Sequence, residues 1–218
     1  MGKIISFANQ KGGVGKTTSC VNVASALGIL GHKVLIIDLD PQGNTTIGIS
    51  KKGLKATTRE LLNGNLSAKE VILETPYENL WVIPTNTALA SAEFDLLDFE
   101  ESEYRMKNAL ADIKNDFDYI LIDCPPSLGQ LTGNAFTASD GIIVPMQCEF
   151  YALEGLSQLM ITINRIKKSY NPDLTVTGIL ITMYNGRLLL SMQVIAELQK
   201  HYEDKLFETR ISRNVKLT

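Results

Sequence analysis

A glycine-rich segment between an apolar run and a helix-like stretch constrains the fold of this chain more than any other feature. Residues 3–9 form a β-rich run, Gly12, Gly13 and Gly15 follow, and residues 16–30 are predicted to form a helix that ends near Gly31. A strand, a glycine turn and a helix in this order are typical of phosphate-binding loops in α/β proteins. The turn then lies at the carboxyl end of a strand, where open sheets bind ligands.

The residue types in the loop suit a nucleoside triphosphate. Lys16 is expected to reach the β- and γ-phosphates, Thr17 to place its hydroxyl on Mg²⁺, and Thr18 to donate to the α-phosphate. The helix N-terminus adds partial positive charge. Glycines let successive backbone N–H groups converge on phosphate oxygens, here those of Gly12, Gly13, Val14 and Gly15. The competing interpretation is a glycine turn that only caps a helix.

The loop departs from the usual G-x-x-x-x-G-K-[ST] pattern, because Gln10 stands where the first glycine belongs and Lys11 follows it. The arrangement K-G-G-x-G-K-[ST] resembles the deviant Walker motif, whose additional lysine crosses a dimer interface to the partner's nucleotide. A cation near the β–γ bridging oxygen would neutralise charge that grows during phosphoryl transfer. We expect this role for Lys11, and the alternative is an exposed lysine beside the loop.

Further apolar runs recur along the chain and alternate with helix-like stretches. Strands are predicted at residues 33–38, 79–83, 118–123, 141–145 and 174–181, and amphipathic helices at 153–168 and 190–202. Uninterrupted apolar strands are typical of parallel sheets with helices on both faces. We therefore predict a doubly wound α/β fold of the P-loop NTPase type, in a single domain over residues 1–218. The most polar region, about 50–105, is expected to be solvated surface with small helices.

Two of the predicted strands end in carboxylates. Asp38 and Asp40 follow one strand, and Asp123 follows another. Asp40, further into its loop, is expected to orient an attacking water and to contact the metal through a water, with Asp38 as a supporting residue. Asp123 has the position of a Walker B-like carboxylate that holds Mg²⁺ directly or through water. For each, a turn or helix cap is the alternative.

Composition restricts the remaining classes of protein. The net charge is −3, with a pI of about 5.5, which disfavours a basic surface over the whole protein but allows a local basic patch. Three widely spaced cysteines fit a reducing cytosol. No apolar run is long enough for a membrane span.

Several blocks of the sequence resemble the ParA/Soj-type partition ATPases of the MinD/ParA superfamily, and they run from end to end of the chain. They are residues 9–18 (NQKGGVGKTT), 38–44 (DLDPQGN), 123–129 (DCPPSLG), 145–155 (PMQCEFYALEG), 182–187 (TMYNGR) and 213–217 (RNVKL).

The resemblance implies an ATP hydrolase that is slow without its partner and DNA. It implies an ATP-dependent homodimer that binds double-stranded DNA without sequence preference, and a ParB-like protein that stimulates hydrolysis and releases the DNA. It also implies a cytoplasmic, nucleoid-associated protein with ATP and Mg²⁺ as ligands, which segregates a chromosome or plasmid. Asn185 would contact the nucleotide, and Arg187, Arg213 and Lys216 would contact DNA.

The sequence departs from the family in three places. Family members usually continue for a few dozen residues beyond the block at 213–217, so we expect this chain to lack the last elements of the domain. Ser212 replaces a frequent proline near the expected base site. Leu188 and Leu189 follow Arg187 where polar residues are more common, close to the expected DNA surface.

Two other classes of function stay open. A MinD-like regulator of cell division at the membrane would need an amphipathic C-terminal helix, and none is visible, so we expect no stable membrane anchor. The other class is a nucleotide-dependent scaffold with poor hydrolysis. The presence of Lys16, Asp40 and Asp123 argues against it, because a scaffold does not require these residues. A solvated charged tail is the alternative to a DNA-binding C-terminus.

Overall fold

A single mixed sheet organises the protein. The computed structural model describes residues 2–50, 54 and 56–214. The strands are β1 (Lys3–Phe7), β2 (Val34–Asp38), β3 (Leu73–Glu74), β4 (Leu80–Ile83), β5 (Tyr119–Asp123), β6 (Gly141–Gln147), β7 (Thr175–Tyr184) and β8 (Leu206–Ser212). They form an eight-stranded sheet in the order β3-β4-β2-β5-β1-β6-β7-β8. Each neighbouring pair is parallel except β3 with β4.

Helices connect the strands. They are α1 (Lys16–Ile29), α2 (Asn44–Ile49), α3 (Thr58–Asn63), α4 (Ala68–Val71), α5 (Leu89–Asp95), α6 (Arg105–Leu110), α7 (Gln130–Ala138), α8 (Ala152–Ser169) and α9 (Leu189–Tyr202). No helix in the described part of the chain is both long enough and apolar enough to span a membrane.

Both faces of the sheet are covered, which explains the uninterrupted apolar strands. Along β2, Leu35 and Ile37 belong to one hydrophobic cluster and Ile36 to a second cluster on the opposite face. Successive strand residues point to opposite faces, so a strand buried on both sides needs apolar residues at every position. The prediction of a doubly wound α/β sheet is confirmed.

The topology fixes where a ligand can bind. Strand β1 lies at the centre, with β5 and β2 on one side and β6 and β7 on the other. The chain order thus changes direction at β1, and in such sheets the crevice beyond the strand ends at this point takes the ligand. The glycine-rich loop leaves β1 here.

The region expected to be solvated surface contributes to the core instead. Leu61, Leu62, Leu89 and Leu96 are almost completely buried. Helices of six or seven residues each bury only two or three side chains, too few to show a helical period in the sequence.

The C-terminal charged segment also differs from a solvated tail. Much of it forms β8, which pairs with β7 at the edge of the sheet. Arg210 lies over the Tyr184 ring, and Lys205 pairs with Asp204. The sequence does not predict this strand because most of its residues are exposed or only partly buried, and it has no continuous apolar run.

Candidate functional site

The glycine-rich loop joins β1 to α1 and shapes a cavity of about 360 Å³. Gly13 and Gly15 have φ angles of +72° and +85°, which glycine adopts without steric cost. Lys16 opens α1 directly after Gly15, so the free N–H groups of the first helical turn face this side of the loop. The cavity is lined by Gly12, Gly13, Gly15, Lys16, Thr17, Thr18, Asp40, Gln42, Asn44, Pro126 and Met183.

Side chains from the neighbouring strands hold the loop backbone in place. Asn9 Nδ2 donates to the Pro145 carbonyl at 2.8 Å, which ties the start of the loop to β6. Two more bonds reach the loop carbonyls, from Gln147 Nε2 to Gly13 at 3.0 Å and from Thr182 Oγ1 to Val14 at 2.7 Å. These three bonds hold the loop in an open, concave shape. Gln147 and Thr182 lie in the recognised blocks, but their contacts with the loop are invisible in the sequence.

Lys16 is positioned by burial and by two carboxylates. It is 7% exposed, and its Nζ donates to the Lys11 carbonyl at 3.1 Å. Burial lowers the pKa of Lys16, while the negative charges of Asp123 and Asp40 oppose this shift. An ammonium group held at the cavity in this way is suited to bind phosphate oxygens.

The three aspartates have different environments, although all of them follow parallel strands. Asp40 is 8% exposed and lines the cavity, and its Oδ1 accepts a hydrogen bond from the Gln42 amide at 3.0 Å. Asp38 is completely buried and does not line the cavity. Burial raises the pKa of Asp38 to about 6, even though it accepts hydrogen bonds from Thr46 and Asp40. These environments support the expected division between a cavity carboxylate and a supporting one.

Asp123 combines burial with an incomplete set of partners. Its Oδ2 accepts a hydrogen bond from Thr45 Oγ1 at 2.8 Å, and the Thr17 hydroxyl lies near enough to the carboxylate to favour its ionised form. Its Oδ1 is buried and has no hydrogen-bond partner among the described residues. Burial and the charge of Asp38 raise the pKa of Asp123 to about 7.

This arrangement fits a magnesium ion that is completed by a nucleotide. A buried carboxylate oxygen without a partner, next to the Thr17 hydroxyl, provides the oxygen ligands that Mg²⁺ prefers. Within residues 2–50, 54 and 56–214, no group of three His, Cys, Asp or Glu side chains could hold a metal by itself. Mg²⁺ commonly binds through one or two carboxylates, waters and substrate phosphates, as this site requires.

Lys11 lies at the rim of the loop. Its side chain is 40% exposed, and its ammonium group forms an ion pair with Glu149 of the same subunit. Glu149 follows β6 and lines a second cavity of about 620 Å³. In the single subunit Lys11 pairs with Glu149 and does not line the phosphate cavity.

The residues expected to bind the base and DNA lie beyond the phosphate cavity. Asn185 and Arg213 line the second cavity, and Met183 and Gly13 line both cavities and so connect them. Arg187 is exposed and donates its backbone N–H to Asn185 Oδ1 at 3.0 Å. Lys216 lies outside the described residues.

Comparisons with known proteins agree with this architecture. Residues 2–176 match the AAA domain family. The sporulation initiation inhibitor protein Soj of Bacillus subtilis is 49% identical over 220 residues, a match that covers 100% of this chain and 87% of Soj.

Solved structures show the same fold. Cobyrinic acid a,c-diamide synthase from Mycobacterium smegmatis, with bound ADP and magnesium, superimposes with a TM-score of 0.92 at 39% identity and covers 98% of this chain and 88% of that one. A plasmid partition protein from Borrelia burgdorferi has a TM-score of 0.85 at 29% identity, and the match covers 99% of this chain and 93% of the partition protein. The chain therefore belongs to the AAA domain family and, within it, to the ParA/Soj-type partition ATPases.

Proposed function

We propose that this protein is a Mg²⁺-dependent ATP hydrolase that acts in chromosome or plasmid partition. The observation that carries the proposal is the cavity formed by the glycine-rich loop, which Lys16 and Asp40 line, with Asp123 buried close enough to Lys16 to interact with its charge. The similarity to Soj and to a solved structure that contains ADP and magnesium supports ATP and Mg²⁺ as ligands.

The triphosphate binds along the loop. The backbone N–H groups from Gly12 to Lys16 and the Lys16 ammonium contact the phosphate oxygens, and Thr18 donates to the α-phosphate. The Thr17 hydroxyl and Asp123 would hold Mg²⁺, which would supply positive charge to neutralise the β- and γ-phosphates. Asn185 is assigned to the base side, because it lines the adjoining cavity.

Asp40 orients the attacking water. Its position in the cavity wall and the Gln42 amide on its Oδ1 give the carboxylate a fixed direction. A carboxylate held beside the γ-phosphate can accept a hydrogen bond from the water and align it for in-line attack.

Two subunits then close face to face, and Lys11 reaches the nucleotide of the partner subunit. The exposed position of Lys11 at the rim supports this role. Among the described residues its ammonium group pairs with Glu149, and this ion pair must break before Lys11 can cross an interface. The added cation would stabilise the transition state as an arginine finger does.

The ATP-bound dimer binds DNA without sequence preference, and a ParB-like protein stimulates its hydrolysis. Arg187 and Arg213 are exposed near the second cavity and are assigned to phosphate contacts, together with Lys216. Pairing two subunits doubles these contacts, so ATP can control DNA affinity through dimerisation.

ATP turnover of the wild-type chain with Mg²⁺, DNA and a candidate ParB tests the proposal. Lys16→Ala should lose both nucleotide binding and turnover, because it removes the buried cation. Asp40→Ala should keep ATP-dependent DNA binding and lose turnover. Normal turnover by Asp40→Ala would refute its role.

Binding assays separate the competing functions. With ATP, we expect the wild-type chain to co-sediment with DNA but not with anionic lipid vesicles. Vesicle binding instead would favour a MinD-like membrane function. ATP-dependent DNA binding without hydrolysis, in the presence of the ParB-like protein, would favour a scaffold.

A further inference from the structure

Two neighbouring threonines of α2 bind the carboxylates at the ends of two different strands. Thr45 Oγ1 donates to Asp123 Oδ2, at the end of β5, at 2.8 Å. Thr46 donates its hydroxyl and its backbone N–H to Asp38 Oδ2, at the end of β2, at 2.6 and 2.8 Å. These four side chains are buried, so the bonds are shielded from water.

The Thr46 hydroxyl also connects to a third strand. Its oxygen accepts a hydrogen bond from the backbone N–H of Thr85, just after β4, at 2.9 Å. It therefore donates to Asp38 and accepts from Thr85, and valine, which has nearly the same shape, could do neither. Asp38 does not line the cavity, and its Oδ2 is occupied by the two bonds from Thr46.

These contacts hold both ends of the loop that carries Asp40. At one end, Asp38 Oδ1 accepts the Asp40 N–H at 3.2 Å. At the other end, Thr45 and Thr46 fix the start of α2. Between them, the Gly43 N–H donates to the Asp40 carbonyl at 2.8 Å in a tight turn. The direction of the Asp40 carboxylate therefore depends on the bonds from α2.

We propose that Thr45 and Thr46 are positioning residues for hydrolysis. Thr46 acts through Asp38 and sets the place of Asp40. Thr45 fixes the rotation of the Asp123 carboxylate, whose Oδ1 has no hydrogen-bond partner among the described residues and would bind the metal. The inference rests on the proposed ATP hydrolysis and deepens it by naming residues that do not touch the substrate.

Replacing hydroxyl by methyl should separate turnover from binding. Thr46→Val should lower kcat about 100-fold, the loss expected when a reacting group shifts by roughly 1 Å, while KM for ATP changes little because the loop and Lys16 are intact. Thr46→Ser keeps the hydroxyl and should restore kcat to within a few-fold of wild type. Thr45→Val should raise the Mg²⁺ concentration needed for half-maximal binding of a fluorescent ATP analogue.

Thr137→Val is the matched control. Thr137 is also completely buried, but its hydroxyl donates to the Gly133 carbonyl within α7, away from the cavity. This variant should change neither kcat nor the Mg²⁺ requirement, although it too loses the hydrogen bond of a buried threonine hydroxyl. Thermal unfolding of each variant is measured alongside.

The outcomes distinguish this inference from the proposed function. The role of Thr46 would be overturned by a normal kcat in Thr46→Val, or by a kcat in Thr46→Ser that is as low as in Thr46→Val. It would also be overturned if Thr46→Val lost nucleotide binding and no longer unfolded cooperatively. If the wild-type chain binds ATP but does not hydrolyse it, the hydrolase function is wrong. The Mg²⁺ dependence of Thr45→Val still decides whether this hydroxyl positions Asp123.

Discussion

Replacing Asp123 by asparagine should make the nucleotide-free protein more stable at neutral pH. Burial and the nearby Asp38 raise the pKa of Asp123 from 3.8 to about 7. A carboxylate whose pKa is higher in the folded state contributes its full stability below about pH 4, and this contribution is lost as the pH rises through 7. At about 1.4 kcal/mol per pH unit, the ionised carboxylate costs about 4 kcal/mol near pH 8.

The gain from the substitution is smaller than this cost. Asparagine can still accept a hydrogen bond from Thr45, but its NH₂ group lies where Asp123 Oδ1 has no hydrogen-bond partner among the described residues. A buried donor without a partner costs about 1–3 kcal/mol. We therefore expect Asp123→Asn to raise the free energy of unfolding by about 1–3 kcal/mol at pH 8.

Urea denaturation from pH 5 to pH 8, without nucleotide or Mg²⁺, measures this effect. The fluorescence of Trp81, the single tryptophan, reports unfolding. The stability difference between the variant and the wild type should shrink by about 1.4 kcal/mol per unit as the pH falls from 7. Asp173→Asn, at an exposed aspartate, should show no such trend. A difference for Asp123→Asn that does not change with pH would refute the reasoning.

Three further predictions concern the rim, the DNA surface and the packing. Glu149→Gln should release Lys11 and strengthen ATP-dependent dimerisation roughly twofold to thirtyfold, since an exposed ion pair contributes about 0.2–1 kcal/mol per subunit. Sedimentation with a non-hydrolysable ATP analogue measures the dimer dissociation constant. Weaker association of the variant would contradict the prediction. Arg187→Ala should lower DNA affinity equally for all sequences. It should also reduce the slope of log affinity against log salt concentration by about 2 per dimer. Unchanged binding in a gel-shift titration would count against this prediction. Gly28→Ala should lower the free energy of unfolding by about 1–3 kcal/mol, because its Cβ would lie 2.4 Å from the Glu78 carbonyl oxygen. Gly48→Ala meets no atom within 4 Å and should be neutral or slightly stabilising in the same urea assay.

Features that depend on neighbouring residues could be predicted from the sequence. The loop from Gly12 to Thr18 has a fixed geometry set by its glycines and by the strand and helix that flank it. Strands such as β2 and β5 were recognisable because burial on both faces requires apolar residues without interruption. Edge strand β8 has one partner strand and an exposed side, so its composition gave no such signal.

Contacts between distant parts of the chain could not be predicted in this way. Thr45 and Asp123 are 78 positions apart, and Gln147 and Gly13 are 134 apart. The sequence around Thr45 and around Gln147 does not indicate which residue each side chain contacts. Only the order of the strands in the sheet brings each side chain to its partner. The residues that hold the site together were therefore hidden, whereas the residues expected to contact the nucleotide were visible in the motif.

Asp38 and Asp40 illustrate why burial must be known before chemistry can be assigned. Both follow one apolar strand, two residues apart, and the sequence favours Asp40 as the ligand-facing residue only because it lies further into the loop. In the structure, Asp38 is enclosed by Thr46 and the Asp40 N–H, and Asp40 lies in the wall of the cavity. Asp38 is completely buried and does not line the cavity, so we assign it the role of fixing its neighbour and not that of orienting a water. The same burial that removes Asp38 from the reaction makes it the point on which the direction of Asp40 depends.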